Sequence, residues 1–231
     1  MDLFEEIQPK KQEIAANIFL LKAYALSAEA QILSDLQATI LKAPLRHMMT
    51  KMGFAMSAAM TNCGELGWVS DDKGYRYDRI NPETKKAWPE MPLSFFQLAQ
   101  DAAFEAGFVD FKPDACLINK YKVGASMGLH QDKNELDFTQ PIVSVSLGIP
   151  ATFQFGGLSR SDKPIKISLT HGDIVVWGGD IRLNYHGIMP LQPQGSSPQN
   201  IPAEAGYSCV KSNNHEALGP YRYNLTFRKA G

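Results

Sequence analysis

The feature that most limits what this chain can fold into is a run of short β-type segments in its second half. Residues 116–122, 142–147, 151–155, 165–169, 174–177 and 222–227 are β-rich, and glycine, proline and aspartate punctuate the stretches between them. Short strands at such spacing predict an antiparallel sandwich or barrel rather than a parallel sheet with crossover helices. Two helices are expected ahead of it. Ile32, Leu33, Leu36, Ile40 and Leu41 recur at helical spacing, and Pro44 marks the end of that segment. A second helix starts at Ser94, which has capping-box spacing to Gln97; Phe95, Leu98 and Ala102 line one face, and Gly107 can close it in a left-handed conformation. Residues 190–220, rich in Pro, Gly, Ser and Asn, read as a long surface loop. A chain of 231 residues can bury one generous core, so a single domain is expected, with residues 1–115 as its helical part and 116–228 as its β-rich part.

Composition excludes several classes. Hydrophobic residues at 44% and charged residues at 20% are those of a globular protein, not of a disordered or fibrous one. No apolar run is long enough to span a bilayer, and the acidic opening lacks the pattern of a secretory signal, so the cytoplasm is the expected compartment. Cys63, Cys116 and Cys209 are odd in number and form no CxxC pair, which fits reduced, buried thiols. A net charge of -1 argues against gripping nucleic acid by bulk electrostatics; any such partner must be held by particular residues.

Two HxD sequences compete as metal sites. In an extended segment, His130 and Asp132 point to one side while Gln131 points to the other, so an imidazole and a carboxylate could share a cation. His171-Gly172-Asp173 has glycine at its centre directly before the apolar run Ile174-Val175-Val176-Trp177, which favours a turn whose polar side chains satisfy backbone groups. The first pair has the better partner in His186, at the end of another β-like segment. Two histidines and one carboxylate leave coordination positions open and suit non-haem Fe(II), although zinc hydrolases use a similar set.

The segment Arg222-Tyr223-Asn224-Leu225-Thr226-Phe227-Arg228 alternates strictly. Arg222, Asn224, Thr226 and Arg228 share one strand face, and Tyr223, Leu225 and Phe227 share the other. Arginines on a buried face call for anions, and leaning towards each other the two could hold the ends of one small dicarboxylate through forked hydrogen bonds. The alternative at this point is an edge strand with solvated arginines.

These residues resemble the AlkB family of 2-oxoglutarate-dependent nucleic-acid repair dioxygenases. The similarity is carried by Ala59-Met60-Thr61-Asn62-Cys63-Gly64, Asp114-Ala115-Cys116-Leu117-Ile118-Asn119, Leu129-His130-Gln131-Asp132-Lys133, residues 142–148, Phe153-Gln154-Phe155-Gly156-Gly157 and residues 222–228, and it spans nearly the whole chain. It implies a mainly β, α+β fold with a double-stranded β-helix (jelly-roll) core and N-terminal helices packed outside. His130, Asp132 and His186 would hold Fe(II), while Asn119, Tyr121, Arg222, Asn224 and Arg228 would hold 2-oxoglutarate. Leu129 and Trp177 would belong to an apolar shell that excludes water. The implied reaction is oxidative dealkylation of N-alkylated bases such as 1-methyladenine and 3-methylcytosine, in single- or double-stranded DNA or in RNA. It consumes O2, converts 2-oxoglutarate to succinate and CO2, and releases a methyl group as formaldehyde. The expected enzyme is a monomer with no membrane partner.

Within residues 1–115, the resemblance implies a nucleotide-recognition part. Trp68, Tyr75 and Tyr77 would supply the aromatic faces that a flipped base needs, with Trp68 opposite His130. Thr50, Met60, Lys73, Arg76 and Arg160 would line the strand path. Three departures stand out. Asn134 replaces the second aspartate of the His-Gln-Asp-Lys-Asp-Glu pattern, keeping an acceptor but losing a charge that would favour cationic bases. A lysine expected near Ser126 is absent, and the 190–220 loop reads as longer than in close relatives. Competing readings are a hydroxylase of a protein or small molecule, a zinc hydrolase, and a non-enzymatic binding module.

Overall fold

A computed structural model describes residues 10–193 and 218–231. Most of the 190–220 loop, and Cys209 with it, lies outside the described residues. The eight-stranded sheet runs in the order β1 (Lys10–Ala15), β2 (Ile18–Lys22), β12 (Ile174–Trp177), β9 (Ile142–Gly148), β14 (Arg222–Arg228), β7 (Ala115–Tyr121), β4 (Ala55–Gly64) and β3 (Arg46–Met49). A four-stranded sheet runs β11 (Ile165–Leu169), β10 (Ala151–Phe155), β13 (His186–Ile188) and β8 (Met127–His130). All pairings in both sheets are antiparallel, as in the expected jelly roll. A separate hairpin, β5 (Gly67–Asp71) and β6 (Gly74–Asp78), stands beside them. The six expected β segments all appear within a residue or so of their expected limits. Residues 1–115 are not mainly helical, however, because β1 to β6 all fall there.

The helices α1 (Glu29–Lys42) and α2 (Leu93–Glu105) cover the outer face of the large sheet. Phe95, Leu98, Ala99 and Ala102 meet Val143, Val145, Leu225 and Phe227 in one buried cluster, with Phe95 and Phe227 edge to face at 6.1 Å. Each large apolar side chain buried there contributes roughly 1.5–3 kcal/mol. The opposite face of the same sheet packs Trp177, Tyr121 and Val175 against Phe153 and Phe155 of the small sheet. Strand β14 shows how sequence sorts the two faces. Tyr223, Leu225 and Phe227 turn to the helices, and Asn224, Thr226 and Arg228 turn to the space between the sheets. Because β14 pairs with β7 on one side and β9 on the other, it is a central strand, and the edge-strand reading of its arginines is ruled out.

Two helix details differ from expectation. Ser94 does not cap α2: the helix starts at Leu93 after Pro92, and the Ser94 hydroxyl donates to Asp35 of α1 at 2.6 Å. Leu41 is 83% exposed, so the buried stripe of α1 is Ile32, Leu33 and Leu36 with Ile40 at its margin. Gly107 does close α2 at φ +92°, its N–H reaching the Phe104 carbonyl. Cys63 and Cys116 are buried free thiols directly opposite each other on β4 and β7. No helix among the described residues is long and apolar enough to cross a membrane.

Candidate functional site

Strands β8 and β13 place the two histidines. Their register sets His186 against His130, with ring centroids 4.5 Å apart. Gly187 permits this approach, since a Cβ there would sit 2.6 Å from the Met127 carbonyl oxygen. Asp132 lies just past the end of β8, its Oδ1 3.7 Å from His130 Nε2 and its Oδ2 3.5 Å from His186 Nε2. One ligand atom from each of the three residues falls within 4.8 Å of the others. Between the two, Gln131 turns its amide to the Leu183 carbonyl at 2.7 Å.

The tautomers follow from the hydrogen bonds. His130 Nδ1 lies 2.9 Å from the Gly128 carbonyl oxygen and His186 Nδ1 lies 3.0 Å from that of Asn184. A carbonyl can only accept, so each Nδ1 carries a proton, and Nε2 is the ring nitrogen that each histidine turns towards the Asp132 carboxylate. Two imidazole nitrogens and a carboxylate thus converge within 4.8 Å of one another, an arrangement that a cation completes. Burial, reinforced by the neighbouring His186 ring, pushes His130 down to about 4, although 39% of its side chain remains exposed. Asp132 is held well below the usual carboxylate range: burial opposes its charge, but Arg228 and the imidazoles overcome that. The donor set fits Fe(II). The rival His171 is structural, as expected: the Gly148 N–H donates to its Nδ1 at 2.9 Å and its Nε2 donates to Glu29 at 2.7 Å. Asp173 accepts from Lys22, the Ala23 N–H and Thr170.

The triad opens on a cavity of about 620 Å³ between the sheets. Trp177 and Phe153 wall His186 at centroid distances of 4.9 and 6.1 Å, and Leu129 adds to the apolar lining. Asn119, Tyr121, Asn224 and Arg228 line the cavity as well. Asn119 Oδ1 is buried without a hydrogen bond among the described residues, and burial pushes the Tyr121 phenol up to about 12, so it remains a donor. Asn224 is already committed, donating to Ser144 Oγ at 2.8 Å and to the Val145 carbonyl at 2.9 Å. Arg222, opposite Tyr121 in the β14–β7 register, is buried and does not itself line the cavity; it donates to Ser146 Oγ at 2.9 Å, and among the described residues its Nε and Nη1 have no hydrogen bond. Burial lowers Arg222 to about 10, which leaves it charged at neutral pH, with no counter-anion in contact among the described residues. Two orphaned guanidinium nitrogens and an orphaned amide oxygen fit a small polar co-substrate. Arg228 differs: although burial opposes its charge, Asp132, Tyr77 and Glu135 hold it above its ordinary value, and it donates to Asp132 Oδ2 at 2.5 and 2.9 Å.

At the cavity's mouth Trp68 and Tyr75 stack, with centroids 5.6 Å apart and planes 20° from parallel. The Trp68 indole N–H donates to Asn134 Oδ1 at 3.2 Å. Thr50, Met60 and Arg160 also line the cavity. Three expected residues do not. Tyr77 instead donates its hydroxyl to Glu135 at 2.7 Å. Arg76 is forked onto Asp71 at 2.7 and 3.0 Å, so its charge is spent within the hairpin, and Lys73 is exposed away from the cavity. Sequence reasoning missed Glu135 and Arg182, both buried beside Asp132. Glu135 is the final residue of the His-Gln-Asp-Lys-Asp-Glu pattern and could have been found there; Arg182 carried no such signal.

The model of the 2OG-Fe(II) oxygenase superfamily matches residues 18–228. The chain belongs to that superfamily. It is 48% identical over 231 residues to the alpha-ketoglutarate-dependent dioxygenase AlkB of Escherichia coli, covering all of this chain and 98% of that one. The human nucleic acid dioxygenase ALKBH1 is 32% identical over 129 residues, 56% of this chain and 33% of the relative. The solved structure of OsALKBH1 superposes with a TM-score of 0.77 at 26% identity, covering 95% of this chain and all of that one. This superfamily member is an AlkB-type dioxygenase that uses Fe(II), 2-oxoglutarate and O2.

Proposed function

We propose that the chain oxidatively removes alkyl groups from the nitrogens of damaged bases in DNA, with RNA as an additional substrate. The observation that carries this reading is the stacked Trp68–Tyr75 pair on the same cavity as the His130, Asp132 and His186 triad. An enzyme acting on a base edge must take the base out of its stack, and aromatic faces repay part of that cost. The relative named nucleic acid dioxygenase ALKBH1 supports the same substrate class.

In this reading His130, Asp132 and His186 hold iron, which supplies the capacity to insert one oxygen atom of O2 into a C–H bond as 2-oxoglutarate gives succinate and CO2. Asn119 and Tyr121 orient the keto acid, Asn224 shapes its pocket, Arg228 holds one carboxylate from the cavity wall, and Arg222, beside Tyr121, takes the other through its two unsatisfied nitrogens. Trp177, Phe153 and Leu129 keep water from the oxidising centre. Trp68 and Tyr75 hold the base, Asn134 meets its polar edge, and Thr50, Met60 and Arg160 guide the strand. An N-methyl group leaves as formaldehyde once it is hydroxylated, with no protein nucleophile. The test measures succinate and formaldehyde released from single-stranded DNA carrying 1-methyladenine, against the unmethylated strand, with and without Fe(II). Formaldehyde that depends on methylation and on iron is expected, with succinate rising by an equal amount above the level seen with the unmethylated strand. Succinate without formaldehyde on the methylated strand refutes the proposed substrate.

A further inference from the structure

We infer that Glu135, clasped by Tyr77, Arg182 and Arg228, is a positioning residue that links the base-binding hairpin to the co-substrate clamp. The inference rests on the substrate reading proposed above and adds a thermodynamic link between its two ligands.

The hairpin is pinned to one short stretch of chain at two adjacent points. Trp68 and Tyr77 face each other directly in the β5–β6 register. Trp68 donates to Asn134 at 3.2 Å, and Tyr77 donates to Glu135 at 2.7 Å. The same stretch begins at the metal-ligand candidate Asp132. The Glu135 side chain is 2% exposed, and its Oε1 also lies 3.3 Å from Arg228 Nε. Arg228 Nε is therefore shared between Glu135 and Asp132 Oδ2, the latter at 2.9 Å, and a single N–H cannot donate fully to both. On the far side, Arg182 Nη2 faces Glu135 Oε2 at 3.5 Å, leaving that oxygen without a hydrogen bond among the described residues. Arg182 is itself fixed by donating to the carbonyls of Asp132 at 3.0 Å and Gln140 at 3.1 Å.

Arg182, Arg228, Asp132 and Glu135 thus form one cluster in which Arg228 is shared between the two acids and Glu135 between the two arginines. Such a cluster has a few discrete arrangements rather than a continuum, because each buried charge must keep a partner. A carboxylate arriving at Arg228 changes how that arginine divides itself between Asp132 and Glu135. A change at Glu135 is felt by the Tyr77 hydroxyl, and so by the strand opposite, which holds Trp68. Base binding and 2-oxoglutarate binding are then coupled, and linkage requires the coupling to be equal in both directions.

The experiment uses the full chain loaded with Mn(II) under anaerobic conditions, so that no turnover occurs. Calorimetry gives the 2-oxoglutarate affinity with and without a single strand carrying 1-methyladenine, and the strand's affinity with and without 2-oxoglutarate. Each ligand should change the other's affinity by one common factor, roughly fivefold or more. In Tyr77→Phe, which removes only the hydroxyl, the factor should fall to near one while 2-oxoglutarate alone binds within about twofold of the unmodified protein. Glu135→Gln should reduce the factor as well, and it provides a second reading if Tyr77→Phe folds poorly. A merely structural role would shift the single affinities and leave the factor intact, which overturns the inference. So does a factor of one in the unmodified protein when both ligands bind, and in that case the proposed function stands. Failure of the methylated strand to bind better than its unmethylated counterpart instead removes the substrate reading and the inference with it.

Discussion

Replacing Arg222 with methionine should make the metal-free protein more stable and cripple its grip on 2-oxoglutarate. Arg222 is 1% exposed, and among the described residues its guanidinium has one hydrogen bond, to Ser146, and two nitrogens with none. Its drop from 12.5 to about 10, at about 1.36 kcal/mol per tenfold in proton affinity, corresponds to roughly 3 kcal/mol spent on holding the charge in place. Methionine is flexible enough to fill most of the space and removes that cost, while the lost bond to Ser146 returns about 1 kcal/mol. A net gain of about 2 kcal/mol should raise the melting temperature by roughly 4–8 °C for a chain of this size. A guanidinium–carboxylate fork contributes about 1.5–3 kcal/mol per charged bond, so 2-oxoglutarate should bind at least about a hundredfold more weakly.

Scanning calorimetry of the metal-free protein and titration calorimetry with Mn(II) and 2-oxoglutarate measure the two effects separately. The pH dependence has a definite sign. Between about 10 and 12.5 the unfolded chain holds the Arg222 proton more tightly than the folded one, so this residue makes the unmodified protein's stability rise with pH. The variant's advantage should therefore be full below pH 10 and shrink above it. A variant that melts lower than the parent at neutral pH, or that binds 2-oxoglutarate equally well, would show that Arg222 already has its partner within the protein.

His130→Ala should abolish Mn(II) binding in a titration, whereas His171→Ala should keep it and lose about 1–3 kcal/mol of stability, because Gly148 N–H and Glu29 lose a shared partner. Trp68→Ala and Tyr75→Ala should spare uncoupled 2-oxoglutarate turnover yet raise the KM for a methylated strand by roughly tenfold, from about 1–3 kcal/mol of stacking per base; unchanged kinetics would remove the base-stacking role. Asn134→Asp keeps the acceptor for Trp68 and adds a negative charge, so paired rates on 1-methyladenine and 3-methylcytosine relative to a neutral lesion should favour the cationic bases several-fold; equal ratios before and after would refute the charge argument.

How much of this was legible depends on whether a cue is local. The triad could be read because two of its members are two residues apart in extended chain, and the β14 arginines because strict alternation separates them from Tyr223, Leu225 and Phe227. That β14 is central could not be read, since its ladders run to β9 and β7, roughly 80 and 105 residues away along the chain. Strand β4 is rich in alanine and methionine, and β8 and β13 are four and three residues long, so neither propensity nor period marked them; their partners make them strands. Ser94 had the spacing of a cap, but a carboxylate on another helix offered its hydroxyl a stronger bond. Tyr77 is the most instructive miss. Alternation rightly groups it with Tyr75, and register puts it opposite Trp68. Alternation identifies a face and says nothing of depth along it. Two residues of strand are about 7 Å, enough to carry one phenol from the mouth of a cavity into an ion-pair cluster, where its hydroxyl rather than its ring does the binding.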